Sequence, residues 1–178
     1  AYYSRMSPEK HPDLAIEVAK IAGMPLKMAG KVDNKDKEFF AREVKPLLDH
    51  PLVEFIGEIG EEERPVFLGN AKALLFPIEW PEPFGLVMIE SMAVGTPVIA
   101  RPYGAVPEVI DEGVTGLIAQ DIEGLVDAVG KVDQIDREGC LLRAQELFSA
   151  SSMVDRYEKV YQRLVRQGGS TRPGLFKI

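Results

Sequence analysis

Short apolar segments alternate with segments of helical periodicity along nearly the whole chain. The apolar runs predict strands at 1–3, 26–29, 53–56, 73–76, 97–100 and 115–118. Apolar residues at helical spacing predict helices at 12–22, 35–48, 61–70, 85–94, 106–112, 122–132, 137–148 and 153–167, with Pro46 disturbing the last turn of the second. Alternating strands and helices require parallel pairing with right-handed crossovers, and continuously apolar strands are covered on both faces. The sequence therefore predicts a doubly wound α/β sheet of Rossmann-like type, followed by a C-terminal helical tail.

Composition and charge exclude several classes of protein. With 178 residues and 46% hydrophobic residues, the chain can form one sizeable core. The net charge of −7 argues against a nucleic-acid partner, and no apolar run approaches the ~20 residues of a transmembrane segment. Cys140 is the only cysteine, which is compatible with a reducing, cytoplasmic location. His11 and His50 with one cysteine form no metal-ligand pattern, so no metal site is predicted.

The loop after the first strand carries two cations. Ligands of doubly wound sheets bind at the carboxyl ends of the strands, so the residues that follow each strand are the candidates. Arg5 and Lys10 lie five residues apart in this loop and are suited to converge on one anion, with an ordinary solvated loop as the alternative. His11 has no acid or nucleophile near it in the sequence, so we predict no catalytic dyad there.

The segment after the fourth strand combines two acids with a helix start. The backbone amides of Phe84, Gly85 and Leu86 are predicted to be free and to form an anion site at the start of the helix. Glu82 precedes these amides, and Glu90 lies in the helix roughly 12 Å away if the intervening residues are helical. Alternatively, Glu82 is only a favourable charge at a helix N-terminus. Glu90 either faces solvent or has a partner, because its neighbours are apolar.

Three glycines also end strands at this edge of the sheet. Gly30 follows the second strand, Gly57 follows the third, and Gly104 forms a turn after the fifth. A glycine lets a ligand approach the backbone closely, so these positions are candidates for contact with the same ligand.

Together, these segments resemble the C-terminal domain of the family 4 retaining glycosyltransferases, which have the GT-B fold of two Rossmann-like domains. The resemblance covers residues 1–164 and rests on RMSPEK, EPFGLVMIE, SMAVGTPVIA, the turn at Gly104, PEVI and VTGLI. It implies transfer of a hexosyl group from a nucleotide-diphosphate sugar to an acceptor, with retention of configuration and without a metal or other cofactor. Within the family, the segment EWPEPFGLVMIES is most similar to bacterial enzymes of antibiotic-sugar and polysaccharide synthesis, which suggests a role in cell-wall or polysaccharide biosynthesis.

The resemblance also implies a role for each candidate residue. Arg5 and Lys10 would neutralise the donor diphosphate and stabilise the leaving nucleotide, and Glu82 would bind hydroxyls of the transferred sugar. Glu90 would bind the ribose. The amides of residues 84–86 would contact sugar and phosphate, and the loop Gly57–Ile59 would lie against the base. The sequence departs from the family pattern at Ser4, His11 and Ala105, each of which stands where the family usually has glycine.

The expected domain organisation follows from the same resemblance. Residues 1–167 are predicted to form the nucleotide-sugar-binding domain, and 168–178 a tail that is either native or added. The N-terminal domain, which binds an acceptor sugar, lipid or small molecule and through which the enzyme could associate with a membrane surface, is expected to be missing. We therefore expect the chain alone to be inactive, and its last helices to expose an apolar strip. A GT-B sugar-nucleotide epimerase or a non-catalytic sugar-nucleotide-binding domain are the alternatives; the base, the sugar, the acceptor and the oligomeric state are not readable from the sequence.

Overall fold

The computed structural model of the protein describes residues 1–168. Six parallel strands form two groups, β1 (Tyr2–Tyr3), β2 (Leu26–Ala29) and β3 (Val53–Phe55), then β4 (Leu74–Phe76), β5 (Val98–Ala100) and β6 (Gly116–Ile118). The amide of Leu75 donates to the carbonyl of Ala1 at 2.8 Å, which joins the two groups between β1 and β4. The strand order is therefore 3-2-1-4-5-6, and the direction of winding reverses between β1 and β4. The predicted doubly wound α/β sheet is confirmed.

Helices cover both faces of the sheet. They are α1 (Pro12–Ala22), α2 (Lys37–Phe39), α3 (Arg64–Gly69), α4 (Leu86–Ala93), α5 (Val106–Val109), α6 (Ile122–Lys131), α7 (Arg137–Phe148) and α8 (Ala150–Gly168). Alternate residues of a strand point to opposite faces. In β4, Leu75 accordingly joins the core formed with α1 and α6, whereas Leu74 and Phe76 join the core formed with α3, α4 and α7.

The prediction of one continuous helix at 35–48 is wrong. A 3₁₀ turn at Asn34–Asp36 leads into α2, and a π-helical segment, Phe40–Val44, and a second 3₁₀ segment, Lys45–Asp49, follow. Pro46 has no amide hydrogen for the α-helical bond to Arg42, so the regular ladder cannot pass through it. The hydrophobic pattern predicted a helical path but not its irregular geometry.

Other element boundaries differ less. The first residues of the predicted helix 61–70 form a turn, and α5 ends at Val109 rather than at residue 112. The last predicted helix begins earlier, at Ala150, and the tail predicted at 168–178 lies outside the described residues from 169 onward.

The expected apolar strip is found on α8. Seven large hydrophobic residues of this helix are exposed, Met153, Val154, Tyr157, Val160, Tyr161, Leu164 and Val165. Their spacing of three and four residues places them along one side of the helix. Within residues 1–168, no helix combines the length and the apolar character needed to span a membrane.

Candidate functional site

A cleft of about 460 Å³ lies where the winding of the sheet reverses. Residues that follow β1 and β4 form its walls together with the beginnings of α3 and α4. Its charged side chains are Lys10, Arg64, Glu82 and Glu90, and its aromatic side chains are Tyr3, Phe76 and Phe84. This is the position at which doubly wound sheets bind ligands.

Lys10 and Glu82 form an ion pair in this cleft. Lys10 ends a 3₁₀ turn, Pro8–Lys10, after β1, and its Nζ contacts Oε2 of Glu82 in the loop after β4. Both side chains are largely buried, with 13% and 14% exposed, and the ammonium lies 5.5 Å from the centre of the Phe76 ring. A buried pair of this kind places one cation and one acid, from two separate loops, at the floor of the cleft.

The beginning of α4 presents backbone amides to the cleft. Gly85 precedes the helix with φ 77°, a left-handed conformation that favours glycine. Among the residues that the structure describes, none accepts a hydrogen bond from the amides of Phe84, Gly85 or Leu86. Free amides at a helix N-terminus attract anions, so this edge of the cleft is suited to a phosphate group.

Glu90 has a partner that the sequence did not reveal. Nη1 of Arg64, the first residue of α3, lies 2.5 Å from Oε1 of Glu90, and the guanidinium stands 5.3 Å from the centre of the Tyr3 ring. Burial lowers the pKa of the Arg64 guanidinium, but the hydrogen bond and charge of Glu90 outweigh it and raise that pKa. Of the two interpretations left open for Glu90, the structure therefore selects the one with a partner.

Comparison with known proteins shows the family to which the chain belongs. The family model described as "Glycosyl transferases group 1" matches residues 1–135, about three quarters of the chain. The chain belongs to the group 1 glycosyl transferases. Its fold is that of the C-terminal domain of GT-B glycosyltransferases.

Two curated relatives and one solved protein illustrate the family. D-inositol 3-phosphate glycosyltransferase of Mycolicibacterium smegmatis is 30% identical over 80% of this chain and 33% of its own length. An uncharacterized 41.2 kDa protein of the Klebsiella pneumoniae cps region is 27% identical over 90% of this chain and 45% of its own. The Anabaena protein HepE, solved with UDP and with UDP-glucose, is 20% identical with TM-scores of 0.78 and 0.74, covering 92% of this chain and 48% of its own. This group 1 glycosyl transferase chain thus spans less than half the length of these proteins.

Arg5 does not line the cleft with Lys10. Its guanidinium turns to Oε1 of Glu9 at 2.8 Å and to Oδ2 of Asp33 at 3.7 Å, and 41% of its side chain is exposed. Although burial raises the pKa of Glu9, nearby polar groups and the positive charge of Arg5 hold that pKa below its usual range. A hydrogen bond from Lys31 and the charges of Lys31 and Arg5 lower the pKa of Asp33. The convergence of Arg5 and Lys10 on one anion is not present in this structure, and the assigned role of Arg5 stays a prediction.

The three strand-end glycines, Gly30, Gly57 and Gly104, lie beside the cleft, whereas Gly85 lines it. A β-carbon on Gly104, at φ 61°, would lie 2.2 Å from the amide nitrogen of Glu82, so Gly104 packs against the backbone of that acid. Gly30 fits against the carbonyl of Ser4 and donates its amide to Gly57 at 2.8 Å. These glycines set the path of the loops that carry the charged residues.

Ile59 lies in a neighbouring groove. This groove, about 560 Å³ in volume, runs between the end of β3 and α3 and is lined by Ile56, Ile59, Val66 and Phe67 among others. The contact of this loop with the base of a nucleotide stays a prediction.

The expectation that His11 has no acid nearby is wrong. Its Nε2 lies 3.1 Å from Oε2 of Glu79, and its Nδ1 lies 3.4 Å from Oδ1 of Asp13. Oε2 of Glu79 also lies 3.4 Å from Nη1 of Arg101, so the contacts of Glu79 join the loops after β1, β4 and β5. His11 is the one non-glycine residue with positive φ, at 47°, in the described part of the chain, which explains why glycine suits this position of the family pattern.

Arg64 is the functional candidate that sequence reasoning missed. The sequence predicted its helix. However, Arg64 directly follows three glutamates, Glu61–Glu63, and such a charged run is typical of a solvated helix face. The available signal was the position of Arg64 at the start of the helix that follows the third strand, on the side of the sheet where the strands end. Across residues 1–168, no group of three or more His, Cys, Asp or Glu is arranged to hold a metal ion.

Proposed function

We propose that this chain is the donor-binding half of a retaining hexosyltransferase that uses a nucleotide-diphosphate sugar. The observation that carries the proposal is the cleft at the switch point, where Lys10–Glu82 and Arg64–Glu90 flank the free amides of α4. Cations and amides suit a diphosphate, and carboxylates suit sugar hydroxyls.

The proposed roles divide the cleft along the donor. Lys10 and the amides of residues 84–86 bind the diphosphate and stabilise the negative charge that develops on the leaving nucleotide. Glu82 accepts hydrogen bonds from hydroxyls of the transferred sugar, and Glu90 accepts hydrogen bonds from the ribose hydroxyls. Arg5 turns from Glu9 and Asp33 to the diphosphate when the donor is bound.

Relatives support this assignment. HepE has been solved with UDP and with UDP-glucose, and the Mycolicibacterium relative is named a glycosyltransferase that acts on D-inositol 3-phosphate. We extend nucleotide-sugar binding, but neither the base nor the sugar nor the acceptor, from these proteins to this chain. The proposed reaction takes place in the cytoplasm and uses no metal.

The rest of the enzyme would supply the acceptor. Because the chain spans less than half the length of these relatives, we propose that it binds the donor but transfers no sugar by itself. A second domain would hold the acceptor and close over the cleft.

Calorimetric titration with UDP, GDP, ADP and their hexose derivatives tests the proposal. We expect binding of one base series, and a loss of about 10- to 100-fold in affinity for Lys10→Met, as is typical of a charge-assisted hydrogen bond. Glu82→Gln should weaken binding of the nucleotide sugar more than binding of the bare nucleoside diphosphate. Lys72→Met is the matched control, because Lys72 pairs with Asp133 and precedes β4 at the opposite edge of the sheet.

Two results would contradict the proposal. If the wild-type chain binds none of these nucleotides, the donor site does not exist. If Lys10→Met and Lys72→Met reduce affinity equally, the effect is general electrostatics and not the cleft.

A further inference from the structure

We propose that Arg64 is a positioning residue for the ribose end of the nucleotide, which acts by holding one oxygen of Glu90. This inference rests on the proposed function, since it assumes that a nucleotide occupies the cleft. It concerns a residue outside the pair formed by Lys10 and Glu82.

The guanidinium of Arg64 is fixed from two sides. Nη1 donates to Oε1 of Glu90 at 2.5 Å, and the guanidinium carbon lies over the Tyr3 ring, 5.3 Å from its centre. Tyr3 in turn packs against Phe67 with ring centres 6.2 Å apart, so one turn of α3 supports both groups. A planar guanidinium with two contacts has little freedom to move, and it therefore fixes its carboxylate partner.

Only one oxygen of Glu90 is used in this pairing. Oε1 accepts a hydrogen bond from Arg64, while Oε2 accepts none from the groups of residues 1–168. Both side chains are partly exposed to the cleft, 26% for Arg64 and 31% for Glu90. The arrangement leaves a charged acceptor in a fixed orientation and open to a ligand hydroxyl.

The apolar surroundings make the pairing necessary. Glu90 lies on α4 next to Ile89 and one turn from Val87, and a carboxylate among such residues gains little from its own neighbours. Without Arg64, the carboxylate is free to adopt other rotamers, some of which point away from the cleft. Arg64 therefore contributes to nucleotide binding through the contact of Glu90 with the ribose hydroxyls. It does not act on the phosphates, which the proposed function assigns to Lys10 and the α4 amides.

The test compares a nucleotide with its 2′,3′-dideoxy form. The probe is UDP, or GDP or ADP if the wild-type chain binds one of those instead, and the readout is the ratio of the two affinities. For the wild type we expect the hydroxyls to improve affinity about 10- to 100-fold, as for hydrogen bonds to a charged group. In Arg64→Gln this preference should fall at least about fivefold, and Arg64→Lys should keep part of it because it retains the charge.

A second variant, Glu90→Gln, and thermal unfolding distinguish a positioning role of Arg64 from a structural one. Adding Arg64→Gln to the Glu90→Gln variant should leave the preference for the ribose hydroxyls unaltered, because both residues act through the same contact between the carboxylate and these hydroxyls. A purely structural role would lower stability and both affinities together without changing their ratio.

Each outcome decides between the alternatives. The inference is overturned if Arg64→Gln keeps the wild-type ratio of the two affinities, whether or not both affinities fall. Absence of any nucleotide binding by the wild type instead removes the proposed function, and the inference with it.

Discussion

Gly104 occupies a position where a β-carbon would collide with the backbone of Glu82. The distances from an added β-carbon to the nitrogen and the oxygen of Glu82 are 2.2 and 2.3 Å, at a φ of 61°. We expect Gly104→Ala to destabilise the fold by roughly 2–5 kcal/mol, from left-handed strain of about 1–2 kcal/mol and overpacking of about 1–3 kcal/mol. Urea unfolding measures the loss, and titration with the nucleotide sugar should show weaker binding because Glu82 is displaced.

Gly113 provides the matched control for this substitution. It has a similar φ of 77°, but an added β-carbon has no atom within 4 Å. Gly113→Ala should therefore lower the stability of the fold only by the left-handed strain, about 1–2 kcal/mol, and leave nucleotide binding unchanged. Equal losses for the two variants would show that Gly104 does not determine the position of Glu82.

Individual residues differ in how far the sequence predicts them. The residue types of the cleft were readable, because charged residues follow apolar strands that must end at one edge of the sheet. Their partners were not, since Lys10 and Glu82 are 72 residues apart and Arg64 and Glu90 are 26 apart. Such pairing depends on the orientation of neighbouring loops and on rotamers, which no local pattern encodes.

At the scale of elements, His11 joins a 3₁₀ turn to α1. It ends the turn Pro8–Lys10 and precedes α1 with φ 47°, and its side chain reaches Glu79 in the loop after β4. Alanine would keep the left-handed strain and lose the contact, whereas glycine removes the strain. We expect His11→Gly to be more stable than His11→Ala by about 1 kcal/mol in urea unfolding.

Glu79→Gln serves as the companion variant to these two. Glu79 is 50% exposed and contacts both His11 and Arg101, so removing its charge should cost no more than about 1 kcal/mol. If His11→Ala proved as stable as His11→Gly, the left-handed conformation at this junction would not persist in solution.

Element type was more predictable than element geometry. Apolar periodicity located α1, α4, α6 and α7 within one or two residues, because one side of each helix packs on the sheet. The same periodicity at 35–48 gave no sign of the π-helical segment Phe40–Val44. Packing of both ends of this segment onto the core and the missing amide of Pro46 determine that geometry, and neither is a matter of periodicity.

At the scale of the whole molecule, the sequence predicted a doubly wound sheet without its strand order. Alternation of strands and helices specifies parallel pairing, but the adjacency of β1 and β4 is a long-range contact. That adjacency brings the loops after β1 and β4 together and so creates the cleft. The location of the site is thus a property of the complete sheet and not of either half.

One continuous sheet with a core on each face should unfold as one unit. Leu125 of α6 and Leu68 of α3 are fully buried in the two different cores. We expect Leu125→Ala and Leu68→Ala each to cost about 2–5 kcal/mol and, because they lie on opposite faces, to be additive in the double variant. Leu142→Ala is the control, since Leu142 of α7 is 57% exposed and its loss should stay within about 0.5 kcal/mol.

The decisive observation is whether different probes report the same transition. Trp80 lies in the loop after β4, so its fluorescence reports the folding of that loop, while far-UV circular dichroism reports all helices and strands. For a two-state domain the two curves coincide in the wild type and in both core variants. If Leu125→Ala separated the curves, with the core of Leu68 still intact, the β1–β4 junction would be a boundary between two folding units. The stability of the cleft would then be limited by the less stable of the two folding units. A nucleotide bound across the junction would stabilise both units together, and the two unfolding curves would coincide again.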